Sequence, residues 1–200
     1  PPDSGRIRFA ERDITYSSAY NRIKHGVARS FQVPSLFENI SVYDNVRISL
    51  LVKHGKTKNG ILPADRYSDI KNETETILEI FGLIDKSSLT PRDLSEGDRK
   101  VLDVAIAFAL RPKLLLLDEP TSGVATNDKF KVMNVIIEAM QRDGISGIVI
   151  EHDMDIVADC SKRVLVMHEG KIIADGEPSE VMENEKVKEV VLGKAGNPQS

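Results

Sequence analysis

Apolar residues recur at two periods along the chain, and the switches between them predict the order of elements. Arg6-Ile7-Arg8-Phe9 alternates polar and apolar positions, which predicts a half-buried strand at 6–9, directly after a Pro2-Asp3-Ser4-Gly5 turn. Residues 18–25 predict one short helix stopped at Gly26, and Val27 to Gln32 a strand or loop. A second helix is predicted from Ser41 to about Leu51. Residues 53–65 carry Lys, Gly, Asn and Pro and predict an exposed loop. Ile70, Ile77, Leu78 and Phe81 share one helical face, which predicts a helix over 66–81 with Gly82 as its stop.

The second half is more legible. Ser95 is placed to cap a helix running to about Arg111, with Val101, Leu102, Ala105, Ile106 and Ala109 on one stripe and Pro112 closing it. Leu114 to Leu117 is a continuous apolar run, the pattern of a strand covered on both faces of a parallel sheet. A helix over 127–142, a strand from Ile145 to Ile150 and a helix from about Asp153 follow. That alternation predicts an α/β fold: a mostly parallel sheet with flanking helices. Residues 163–168 and 171–175 predict a hairpin around Glu169-Gly170, Pro178 starts a short helix, and the tail from Asn197 to Ser200 is expected to fray.

Composition narrows the class. The chain has 200 residues, enough to bury one core. Its 27 Lys+Arg against 31 Asp+Glu leave a net charge of −4, without the basic excess of a nucleic-acid binder, so no nucleic-acid partner is expected. A 40% hydrophobic content argues against disorder. Cys160 stands alone, which excludes an internal disulfide or a Cys-rich zinc site. No apolar run approaches the ~18 residues of a membrane span, because Asp103 interrupts even the richest stretch, Val101 to Leu110. The N-terminus is neither a signal peptide nor a start methionine. A soluble, reduced, cytosolic protein is the expectation.

The candidate chemistry gathers at strand ends. The four leucines run into Asp118-Glu119-Pro120, and ligands of open parallel sheets sit beyond the carboxyl ends of the strands. An Asp there can hold Mg²⁺ directly or through water, since hard cations take oxygen ligands. The Glu after it can accept a proton from an attacking water. In Leu94-Ser95-Glu96-Gly97-Asp98 a Ser at a helix N-terminus, followed by a Gly, offers a hydroxyl, backbone N–H groups and the positive dipole end to an anion; alone, it is equally an ordinary cap. His152 follows the strand ending at Ile150 by two residues, at the same predicted sheet edge, where it can donate to a phosphate or polarise a water. Gln32 can accept at a metal and donate to a water.

Taken together, these residues resemble the nucleotide-binding subunit of an ABC transporter. The resemblance matches Leu94, Ser95, Glu96, Gly97 and Asp98 with the signature motif, Leu114 to Asp118 with the Walker B strand and Glu119 with the catalytic glutamate. It matches Ser122 to Ala125 with the D-loop, His152 with the switch histidine and Gln32 with the Q-loop glutamine, and it extends to Leu192-Gly193. Arg29-Ser30-Phe31-Gln32, Ile150-Glu151-His152-Asp153-Met154, Glu169-Gly170-Lys171 and Asp175-Gly176 look most like the ATPases of branched-chain amino acid importers.

The resemblance implies a P-loop NTPase-like domain over 1–200, with a helical signature subdomain at about 38–108, a core sheet and late hairpin at 109–176, and C-terminal helices and tail at 177–200. It implies ATP and Mg²⁺, with Asp118 and Gln32 toward the metal, Glu119 polarising the attacking water and His152 contacting the γ-phosphate. It also implies a head-to-tail pair of ATPase subunits, transmembrane permease subunits, a solute-binding protein acting indirectly, and a place on the inner face of the cell membrane.

Three positions depart from the pattern. Glu96 replaces the usual first glycine of the signature, Asp98 the usual Gln, and Ala125 the Asp or Asn of the D-loop. The phosphate loop, Gly-x-x-x-x-Gly-Lys-Ser/Thr, has only a decoy in Gly55-Lys56-Thr57: position 50 is Leu50, and the decoy follows Gln32, whereas the family's loop precedes the glutamine. Pro2 to Ile7 resembles the segment just after the phosphate-loop helix. A strand–loop–helix unit with the strands before it, on the order of 40 to 50 residues, is therefore expected ahead of Pro1, and residues 1–200 alone are expected to bind ATP poorly or not at all and to be marginally folded. Two other readings stay open: a non-transport ABC ATPase, although no second domain or heptad insertion appears, and a non-catalytic interaction module.

Overall fold

Two short strands open the chain. β1 (Arg8–Phe9) pairs antiparallel with β2 (Arg12–Asp13), Arg8 opposite Asp13. The strand predicted at 6–9 is thus shorter and folds forward onto its own continuation. The turn between the strands places Ala10 and Glu11 at φ 46° and 64°. That backbone ordinarily calls for Asn-Gly, so no residue type announces the second strand. The structure, a computed structural model, describes residues 2–56 and 68–191. It divides the chain into two units, Pro1–Ile150 and Glu151–Ser200.

In the first unit α1 (Ala19–Lys24) is capped by Ser18, whose hydroxyl accepts the Asn21 N–H. β3 (Val27–Arg29) follows. Gly26 reaches it at φ 92°, and a Cβ there would meet the Lys113 side chain at 3.2 Å. α2 (Val42–Lys53) is capped by Ser41 and α3 (Ser68–Ile80) packs against it. After 3₁₀ turns at Ile84–Lys86 and Pro91–Asp93 come α4 (Glu96–Phe108), β4 (Leu114–Asp118), α5 (Thr126–Arg142) and β5 (Ser146–Ile150).

The strands form a parallel sheet in the order β3-β4-β5, with Val27 opposite Leu114 and Asp118 opposite Ile150. The predicted parallel α/β fold is observed, with the four-leucine strand in the middle. Leu115 and Leu117 are completely buried on it.

α4 is buried more widely than one stripe. Val104, Ala107 and Phe108 join Val101, Leu102 and Ala105 in the core, and so do the charged Lys100 and Asp103. The Phe108 ring meets Phe81 edge to face at 5.1 Å. The helix stops short of the predicted Arg111: Ala109 caps it and Arg111 turns the chain at φ 52°. β5, predicted as a strand at 145–150, is the edge of the described sheet, and Ile148 and Ile150 are 56% and 59% exposed.

In the second unit α6 (Met154–Cys160) precedes the predicted hairpin, β6 (Val164–His168) with β7 (Lys171–Gly176). Glu169 and Gly170 turn it at φ 47° and 75°. α7 (Pro178–Glu183) and α8 (Glu185–Val191) follow, and Val164, Val181 and Val187 form this unit's core. The tail at 197–200, most of the loop predicted at 53–65, and Thr57 of the decoy lie outside the described residues.

Candidate active site

β4 delivers its two carboxylates to one end of the sheet. Asp118 is the last strand residue; Glu119 is the next, and its N–H still donates to the Ile150 carbonyl at 2.9 Å. The ladder therefore holds Glu119 while its φ of 48° turns the chain away. A non-glycine residue in that region is strained, and such strain concentrates at functional sites.

The last residue of β3 and a residue of the loop beyond it meet this pair. Arg29, opposite Leu116, donates to Asp118 Oδ2 at 2.7 Å, and its guanidinium lies 5.7 Å from the Phe31 ring centroid. The Gln32 amide donates from Nε2 to Glu119 Oε2 at 2.9 Å. Gln32, Asp118 and Glu119 thus converge, beside a shallow cleft of about 380 Å³ that Arg29, Phe31, Val33 and Ser35 help to line.

Two buried residues of α4 hold the backbone of that loop, and neither is a predicted site residue. Asp103, 6% exposed, accepts the Phe31 N–H at 3.0 Å and the Ser35 N–H at 3.2 Å, one on each carboxylate oxygen. Lys100, 4% exposed, donates its ammonium to the Gln32 carbonyl and, at 3.4 Å, to that of Glu119. Burial pushes the Asp103 carboxyl above its ordinary value; the two N–H bonds and the Lys100 charge offset part of that rise. The one signal in the sequence was Asp103, a charge inside the apolar run from Val101 to Leu110; Lys100 merely follows the charged first turn of α4.

The signature residues start the same helix. Ser95 caps α4 by accepting the Asp98 N–H at 3.2 Å, and its hydroxyl donates to Asp98 Oδ2 at 2.7 Å. Asp98 also pairs with Lys86 at 2.6 Å. Burial raises its carboxyl, but the Lys86 and Ser95 hydrogen bonds lower it more, leaving it below the ordinary carboxylate value. The cap is satisfied from within its own turn. Leu94 packs on the main core. Gly97 lets α4 approach α5: a Cβ would stand 3.3 Å from Val132 Cγ2.

Glu96 lies against Gly123 and 3.9 Å from Arg99 Nε, which answers part of its extra negative charge. Ala125 stands at the N-cap of α5 and makes no side-chain cap bond. His152 is exposed and belongs to the second unit, two residues past β5.

One carboxylate and one carboxamide oxygen at a sheet's carboxyl end suit Mg²⁺, which takes one or two protein oxygens and completes its shell with phosphate and water. No cluster of three His, Cys, Asp or Glu able to hold a metal occurs among the described residues, so the set stays sparse.

A parallel sheet ends here in an acidic pair met by a glutamine from the loop after the neighbouring strand, and the fold is that of the P-loop NTPase class. The ABC transporter family profile matches residues 1–122. The chain belongs to this family, as the ATP-binding subunit of an ABC transporter, an ATPase.

Among its relatives is the high-affinity branched-chain amino acid transport ATP-binding protein LivG of Salmonella typhimurium, 30% identical over 97% of this chain and 78% of LivG. The lipopolysaccharide export system ATP-binding protein LptB of Escherichia coli is 31% identical over 96% and 76%. The sulfate/thiosulfate import ATP-binding protein CysA of Mannheimia succiniciproducens is 34% identical over 90% of this chain and 48% of CysA. Of solved structures, MJ1267, an ATP-binding cassette of an ABC transporter, superposes with a TM-score of 0.82 at 28% identity, covering 96% of this chain and 78% of that one.

Proposed function

We propose that the full-length ATPase carrying these residues powers import of a small solute, with branched-chain amino acids as the solute class. The solute reading is supported by the likeness to LivG over most of its length and by Arg29-Ser30-Phe31-Gln32. The observation that carries the site reading is the Gln32–Glu119 contact of 2.9 Å beside Asp118.

In this reading the Glu119 carboxylate accepts the proton of the attacking water, and the Gln32 amide fixes which oxygen faces it. Asp118 and the Gln32 amide oxygen would hold Mg²⁺, which would supply charge neutralisation for the phosphates. His152 donates to the γ-phosphate. Leu94, Ser95, Glu96, Gly97 and Asp98 face the nucleotide of a second ATPase subunit, identical or not, and both subunits dock on transmembrane permease subunits fed by a solute-binding protein. The chain then works on the inner face of the membrane, held there by its partners; no described helix is long and apolar enough to cross one.

The test is reconstitution with the cognate permease in vesicles. ATP hydrolysis stimulated by a binding protein loaded with leucine, isoleucine or valine is expected. Indifference to these with stimulation by sulfate or lipopolysaccharide overturns the solute class.

A further inference from the structure

We propose that Lys100 and Asp103 are positioning residues that make one rigid body of Gln32, Glu119 and the helix begun by Ser95. The proposal rests on the site reading above. Asp103 accepts N–H groups on either side of Gln32, from Phe31 at 3.0 Å and Ser35 at 3.2 Å. Lys100, one helical turn earlier on the same face, takes the Gln32 carbonyl itself and reaches the Glu119 carbonyl at 3.4 Å. The loop is therefore held at three backbone points within five residues, none through its own side chains.

The same ammonium bridges the two residues whose side chains meet. Both charges are almost fully buried. A charge kept there at the expense of desolvation must find partners in place of water, and those partners are main-chain groups of the site. α4 starts at Ser95, so a displacement of the signature end carries Lys100 and Asp103, and with them Gln32 and Glu119, in the same direction. Catalysis depends steeply on such placement, with an error of about 1 Å costing on the order of 100-fold.

The experiment compares Asp103→Asn, Lys100→Met and Lys100→Arg in the full-length ATPase with its transporter partners. Amide hydrogen exchange reads the clamp directly. Asp103→Asn keeps one acceptor oxygen and sets an NH₂ against the other N–H, so exchange at Phe31 or Ser35 should rise about tenfold or more while the amides around Ala105 keep their protection. In Asp103→Asn and Lys100→Met, kcat should fall about tenfold or more with KM for ATP within about twofold, and Lys100→Arg should restore most of the loss. Unchanged exchange at both amides in Asp103→Asn overturns the proposal, as does an unchanged kcat in both variants. Exchange reports on the clamp whether or not Glu119 is the hydrolytic residue; Glu119→Gln tests that function separately.

Discussion

Gln32 and Glu119 lie 87 residues apart in sequence and meet side chain to side chain, Nε2 to Oε2, at 2.9 Å. The contact exists because β3 lies parallel to β4, so both chains leave the sheet at the same end. A carboxamide is a fitting partner for a carboxylate that must stay ionised: it donates one hydrogen bond without adding a charge.

Glu119 holds its place against its backbone preference. Glu119→Gly removes the penalty of φ 48°, and the folded protein should gain about 1 kcal/mol in urea unfolding while hydrolysis is lost. Reduced stability in this variant contradicts the account of strain.

Gly97 is needed for proximity rather than for flexibility. Gly97→Ala gains helix propensity of about 1 kcal/mol but drives a methyl to 3.3 Å from Val132 Cγ2. Thermal unfolding should show little net change for Gly97→Ala alone and a gain of about 1 kcal/mol when Val132→Ala makes room. Equal effects in both backgrounds rule out the contact as the cause.

Lys86 stabilises the signature turn through Asp98. The folded Asp98 carboxyl titrates below its ordinary 3.8, so its stabilising contribution is present above that pH and lost as pH falls through the folded value. Lys86→Met should lower Tm near neutral pH, and the gap to the parent should close on acidification below 3.8. A gap that does not narrow on acidification places the loss elsewhere.

The long elements and the strand-end carboxylates were legible because periodicity and the Leu114–Asp118 run report burial directly. Three features were not. The β1–β2 turn uses Ala10 and Glu11 at positive φ, where no Gly or Asn gives it away. β5 is as apolar as a covered strand, yet Ile148 and Ile150 are exposed in the described sheet, and composition carries no record of which face is paired. Asp103 reads only as a break in an apolar stretch, and Lys100 follows the charged first turn of α4, whereas their polar ends are consumed by main-chain groups 68 to 72 residues distant in sequence, a partnership only the tertiary fold creates. The signature turn also holds more of its own charge than the pattern suggests, since Asp98 occupies the Ser95 hydroxyl.

The central claim is that Glu119 activates the water that hydrolyses ATP. Glu119→Gln keeps the shape and the hydrogen-bonding reach to Gln32 but removes the base. In the full-length ATPase assembled with its partners, turnover should fall about 100-fold or more while ATP binding, measured by calorimetric titration, stays within about twofold. Hydrolysis at the parent rate with binding intact contradicts the assignment of Glu119.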